Sequence, residues 1–141
     1  MKTTIDADGV WSPHGRGFSM GVVQPEGRVI HFTGRVAWDE GEQIVGKGDV
    51  AEQTRQCFRN IERVLAAVGG RMDDLVAVTT YYTDRSQLPL IQQVRGEFLE
   101  PDNAPTSTSI MVAGLGHEDF LVELAPIAVV PEDRFVMPRS E

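Results

Sequence analysis

One cysteine, Cys57, stands in a chain of 141 residues, so no disulfide can form within it. Basic residues are short as well: 13 Lys and Arg face 21 Asp and Glu, a net charge of −8. That balance argues against nucleic-acid partners, which need a basic patch, and against anionic membrane surfaces. No apolar run reaches the ~20 residues of a membrane-spanning helix. Met1 to Asp8 has no apolar core of the signal-peptide kind. A cytoplasmic protein with no membrane partner is expected. There is no phosphate loop, no paired Cys or His ligand set, and no Gly-x-Ser-x-Gly elbow. His14, His31 and His117 have unrelated spacings, so neither a metal nor another cofactor is expected.

What is present describes an ordinary folded domain. Hydrophobic residues make up 41% and charged residues 24%, enough apolar surface to avoid wholesale disorder. One domain is expected over residues 1–141, with a lead-in at 1–17 and a polar tail at 131–141 lying over the surface or fraying. Phe18 to Val23 and Arg28 to Thr33 flank Gln24-Pro25-Glu26-Gly27, which reads as a β-hairpin turn. Ala37 to Lys47 reads as an irregular exposed connection. Asp49 to Val68 is the strongest helix. Asp49 is its cap, Glu52 completes a capping-box pattern, and Gly69-Gly70 stops it. Val50, Cys57, Phe58, Ile61, Leu65 and Val68 form its apolar stripe. Leu75 to Thr83 reads as a strand, and Ser86 to Leu99 as a second helix with Pro89 in its first turn. On that helix Arg95 is expected to extend its charge to a boundary. Strands around Ser107 to Val112 and Leu121 to Val130 complete the order β-β-α-β-α-β-β, with room for one more short strand near the N-terminus.

Two helices at similar spacing predict an α+β layer, both helices on one face of a mixed sheet. The other face then lacks cover. Ile30, Val78, Tyr82, Ile110, Leu124 and Ile127 are available to line it, and a second copy of the chain is the economical cover. An oligomer is therefore expected.

The stretch from Asn103 to Gly116, a turn followed by a hydroxyl-rich strand and a Gly-marked turn, is the densest candidate for chemistry. Hydroxyls fill a core poorly, so Ser107 and Thr108 belong either to a half-exposed strand or to a site. Glu123 sits between Val122 and Leu124 in an apolar strand, where a carboxylate must be exposed, paired or used. Cys57 lies on a buried stripe and reads as a small apolar group.

Several runs together resemble the Rid (reactive intermediate deaminase) family, the YjgF-like proteins also labelled endoribonuclease L-PSP. They are Phe32-Thr-Gly-Arg, Gln53 through Cys57, and Asn60 to Gly69-Gly70. Asp74-Leu-Val through Tyr82-Thr-Asp84, Phe98, Pro105-x-x-Thr and Leu121-Val-Glu-Leu-Ala-Pro-Ile-Ala-Val129 complete the set. The resemblance implies a chorismate-mutase-like (YjgF-type) fold, a homotrimer with a central barrel of sheets, and small-molecule clefts between subunits. It also implies hydrolysis of imines or enamines to a carbonyl compound and ammonia.

The family motif Pro-x-Arg-Ser uses its Arg to grip a carboxylate through two hydrogen bonds. Here Ser107 stands at that position, and serine has neither the charge nor the fork. The family's last-strand Glu falls on Ala125, and Glu123 lies about 7 Å earlier along the same strand face. Phe18 replaces a cleft Tyr, Gln92 an Asn, and Gly34 matches a cleft glycine. Arg35 and Arg16 are the candidate substitute cations, with Arg35 the better placed beside Gly34; the other reading of Arg35 is a solvated strand-end charge. The resemblance thus predicts Glu123 and Ser107 as catalytic groups, with Phe18, Gly34, Arg35, Gln92 and Thr108 binding substrate. A metabolite-binding trimer without turnover is the alternative, and an endoribonuclease or translation inhibitor a more distant one.

Overall fold

The computed structural model describes residues 2–13 and 15–139. His14 lies outside them. Two helices, α1 (Val50–Ala66) and α2 (Leu88–Phe98), pack on one face of a four-stranded sheet. Its strands are β3 (Arg28–His31), β4 (Leu75–Tyr82), β5 (Thr106–Met111) and β6 (Val122–Val130), in the order β3-β6-β4-β5. Only β4 and β5 run parallel, so the sheet is mixed, as the element order predicts. A separate ribbon pairs β1 (Thr3–Ile5) with β2 (Gly21–Val23).

The expected hairpin between β2 and β3 does not form. β3 instead pairs antiparallel with the long β6, Arg28 opposite Val130 and His31 opposite Ile127. That pairing brings Ile30 against the helix-covered core. Gly27 makes it possible: its φ is 146°, and a Cβ there would collide with the Val130 carbonyl. β2 turns to β1, where Ile5 packs over Gly21.

α1 begins where the sequence says it should. Asp49 accepts a hydrogen bond from the Glu52 N–H at 3.1 Å. The capping box is not closed, however, because the Glu52 carboxylate pairs with Arg55 and Arg59. Gly69, at φ 77°, ends the helix, and the Gly70 N–H returns to the Leu65 carbonyl. Every residue of the expected stripe is buried, and so are Gln53 and Thr54. Gln53 donates to the Gly46 and Asp119 carbonyls and accepts from the Leu121 N–H. This one amide therefore ties the loop before α1 to the turn before β6. The two helices meet through Phe58 stacked on Phe98 at 4.9 Å and through Arg55 paired with Glu97.

The open face of the sheet is where a second correction falls. Of the six residues expected to line it, Val78, Tyr82 and Leu124 lie in the helix-covered core and Ile30 packs against that core. The pleat alternates side chains, so the bare face carries the intervening residues. Rows across it run His31, Ile127, Ala77, Thr106, and then Ala125, Thr79, Thr108, and then Glu123, Tyr81, Ile110. The tail is also better anchored than expected. Arg134 pairs with the buried Asp74 at 2.6 Å and donates to the Gly69 carbonyl, while the Val136 N–H reaches Val68. No helix is long and apolar enough to cross a membrane.

Candidate functional site

Beyond the end of β3 the chain continues alongside β6. Arg35 and Leu124 exchange both backbone hydrogen bonds, at 2.7 and 2.9 Å. This pairing carries Gly34 over Glu123. A Cβ on Gly34 would collide with Glu123 Oε2 and stand 2.8 Å from its Cδ. Glycine here leaves room for the end of a side chain, the Glu123 carboxylate. Glu123 is half-buried. It makes no ion pair or side-chain hydrogen bond among the described residues, which removes the structural ion pair as its explanation.

Gly34 and Arg35 line a cleft of about 680 Å³ together with Trp38, Gln56, Asn60 and Arg63. One wall is the connection from Ala37 to Lys47, which is more ordered than its composition implied. Ala37 is fully buried, Trp38 bridges Ile44, and Asn60 donates to the Val36 and Trp38 carbonyls. The Arg35 guanidinium donates at 3.3 Å to the Thr33 carbonyl and forms no ion pair among the described residues. It lines the cleft with Asp39 and Glu40 in the same lining, paired with neither.

Cys57 lies behind this region, fully buried. Burial, and then the charge of Glu123, push its thiol up to about 12, with Arg35 opposing them. The thiol keeps its proton at neutral pH and is no nucleophile. An unfolded thiol ionises from its ordinary value of 9.0, while the folded one does not until about 12. The unfolded state thus holds fewer protons across that window, and stability falls as pH rises through it. A Cys57→Ala variant is expected to lose less stability between those pH values than the parent. Thiol-reactive reagents should label the native chain only as fast as it opens globally. Rapid labelling without unfolding would contradict this burial.

The remaining expected site residues lie elsewhere in the chain. Thr108 shares the bare sheet face with Glu123, one row along and two strands away, about 12 Å at ordinary strand spacing and rise. Ser107 is level with Val78 and so belongs to the opposite, helix-side face at the sheet edge. A single chain therefore does not join Ser107 to Glu123, because alternation along the strands separates them. Phe18 and Gln92 line a different cleft of about 470 Å³, between the N-terminal segment and α2. The buried residue in its lining is Arg95. Arg95 was expected at a boundary, but Gly17 and Phe18 fold over its stem. The signal that could have marked it is an arginine on the inner stripe of a helix with no acidic partner one turn away. His117 caps its own turn by accepting from the Asp119 N–H. Among the described residues, no three His, Cys, Asp or Glu stand close enough to hold a metal ion.

Comparison with known proteins agrees with this architecture. The family model for Endoribonuclease L-PSP matches residues 13–130. A 3-aminoacrylate deaminase, RutC of Acinetobacter baylyi, is 31% identical over 102 residues, covering 72% of this chain and 79% of that protein. A RutC family protein of Pyrococcus horikoshii is 29% identical over the same share of each. Among solved structures, the Rid-family protein YyfB of Yersinia pestis, of unknown function, superposes with a TM-score of 0.85 at 29% identity. It covers 92% of this chain and 98% of its own. By the span matched, by its deaminase relative and by its fold, this chain belongs to the Endoribonuclease L-PSP family, the Rid or YjgF group.

Proposed function

We propose that this chain is a divergent hydrolase of its family, adding water to a small imine or enamine and releasing ammonia. The observation that carries the reading is Glu123: a half-buried, unpaired carboxylate on the bare sheet face, given space by Gly34, which itself lines the neighbouring cleft. Such a group is suited to general-base work. Glu123 takes a proton from water as the oxygen adds to the imine carbon and passes it to the imine nitrogen, giving the neutral carbinolamine. Glu123 then takes the carbinolamine hydroxyl proton and delivers it to the amine as the C–N bond breaks, so that the carbonyl compound and ammonia leave and the carboxylate is restored. An enamine enters by tautomerising to its imine, as 3-aminoacrylate, the substrate in the name of the Acinetobacter relative, would.

Copies associate in this reading as a homotrimer through the face of Ile127, Tyr81 and Ile110. Ser107 and Thr108 of one copy, with its Phe18 and Gln92, then border the Gly34–Glu123 region of the next. The bare face and the separation of these groups within one chain support that arrangement. Ser107 in place of the family arginine favours a second reading, metabolite binding without turnover. The net charge of −8 weighs against acting on RNA.

Ammonia release from imines generated in situ by an amino-acid oxidase tests the proposal, with sedimentation run on the same sample. The native chain should accelerate release, and Glu123→Gln should lower the rate by about 10²-fold. Ligand-dependent thermal stabilisation with no acceleration would transfer the case to the binding reading. A stable monomer at working concentration would sink the shared cleft.

A further inference from the structure

We propose that the cavity between Lys2, the turn before β4 and the C-terminal tail captures a small neutral aldehyde, which the side-chain amine of Lys2 binds as an imine. The site lies apart from Glu123 and does not rest on the hydrolytic reading. Lys2 stands just before β1 and is 7% exposed. Its Nζ donates at 2.6 Å to the Asp73 carbonyl and at 2.6 Å to the Leu75 carbonyl. The chain's other lysine, Lys47, is paired with the Asp119 carboxylate at 3.5 Å. Lys2 has no such ion pair among the described residues, although a covered ammonium ordinarily needs one.

Carbonyl acceptors leave the amine free to titrate. An ammonium carries three hydrogens, and a neutral amine carries two and a lone pair. Lys2 can therefore lose a proton and keep both of its bonds, whereas a lysine held by a carboxylate loses its ion pair. The third position on the nitrogen has no acceptor among the described residues, and Lys2 lines a cavity of about 320 Å³. Burial holds its ammonium below the ordinary lysine range, against the opposing charges of Asp73 and Asp74. Desolvation of this kind is what makes a lysine nucleophilic at neutral pH.

The lining sets the charge of the ligand and supplies a proton relay. Lys2, Arg71 and Arg134 face Asp73, Asp74 and Asp133, so a neutral molecule enters without leaving a charge uncompensated. Arg134 and Asp74 are already paired with each other. The volume is at the small end for ligand pockets, which limits the molecule to a few carbons. The Lys2 nitrogen bonds to the aldehyde carbon, and the aldehyde oxygen takes the proton that the nitrogen loses, giving a carbinolamine. The oxygen then leaves as water with the nitrogen's second proton as the C=N bond forms, and hydrolysis reverses the capture. Asp73, which makes no ion pair among the described residues, relays these protons from nitrogen to oxygen.

Propanal is a suitable probe, with cyanoborohydride at pH 7 to reduce the imine and fix it on the amine. The chain has two lysines, and fragment-ion mapping tells Lys2 from Lys47 and from the α-amino group. Lys2 is expected to be labelled about tenfold faster than Lys47, whose side chain is 73% exposed, because it carries more free amine. Its rate should saturate as propanal is raised, as binding in a cavity requires, while that of Lys47 rises linearly. As pH rises, Lys2 should reach its plateau rate before Lys47, and in denaturant the preference should vanish. Asp73→Asn keeps the backbone carbonyl that holds Lys2, so at the plateau pH it should lower the saturated rate several-fold without loosening the amine. Lys2→Met should remove the fast adduct and leave Lys47 labelling unchanged, and the parent's native-against-denatured comparison decides even where that variant does not fold. Labelling of Lys2 no faster than of Lys47 in the native chain would overturn the assignment and leave Lys2 a clamp for the N-terminal strand. A rate that stays linear in propanal would remove the cavity from the argument, and an unchanged rate in Asp73→Asn would remove the relay.

Discussion

Replacing Gln53 with leucine is expected to destabilise the chain by about 3 kcal/mol, although it makes the inner face of α1 more apolar. The Gln53 side chain is fully buried. Its amide nitrogen donates at 3.2 Å to Gly46 and at 2.8 Å to Asp119, and its oxygen accepts at 3.0 Å from Leu121. All three partners are backbone groups of turns. The Gly46 carbonyl keeps the Asp49 N–H, but leucine leaves the Asp119 carbonyl and the Leu121 N–H facing an apolar side chain, at a cost of about 1.5 kcal/mol apiece. The volume is nearly conserved, so the loss measures polar satisfaction rather than a cavity. Denaturant unfolding reads the effect as a fall in midpoint at constant slope. Gln56→Leu, on the same helix, breaks only a bond to Asn60 and serves as the control. A loss below about 1 kcal/mol in Gln53→Leu would show that water replaces the amide in these turns.

Gly34→Ala is expected to reduce activity about as far as Glu123→Gln does, roughly 10²-fold, while leaving the fold stable to within about 1 kcal/mol. The new methyl group meets the Glu123 carboxylate and, at 3.1 Å, its Cγ. These atoms belong to a flexible side chain, so the clash is relieved by swinging Glu123 away. Stability is nearly spared because the carboxylate has no partner to lose. Catalysis is not spared, because a general base must stay within hydrogen-bond reach of its water. A double-mutant cycle makes the link specific. In a Glu123→Ala background the same Gly34→Ala change has little left to displace, so its effect on rate should nearly vanish. Equal effects in both backgrounds would mean that Gly34 acts through the Arg35 backbone pairing, and the carboxylate would lose its assigned role.

The two substitutions probe different kinds of information in the chain. The stripe of α1 was legible because burial follows a helical period, and each apolar residue in it went where the period put it. Gln53 falls on the same stripe but was hidden by its polarity, since its partners are carbonyls and an N–H on distant turns. Glu123 stands out in sequence as a carboxylate in an apolar strand, and Gly34 as the match of a cleft glycine. Only the antiparallel pairing of residue 35 with residue 124 joined them. Ser107 shows the reverse. Its type was informative, but register put it level with Val78 and away from the carboxylate.

The amino-acid order alone determined the element types, the α+β layer, the family and a sheet face left without cover. Those follow from local periodicity, capping and turn chemistry, whose range is a few residues along the chain. Tertiary structure decided which strands pair, which face each strand residue takes, how the tail docks on Asp74 and where Arg95 lies. Pairing and register depend on competition between segments far apart in the chain, and moving a strand by one residue turns all its side chains over. Charge burial depends in the same way on what folds above it: Arg95 is unremarkable in α2 until Gly17 and Phe18 close over its stem.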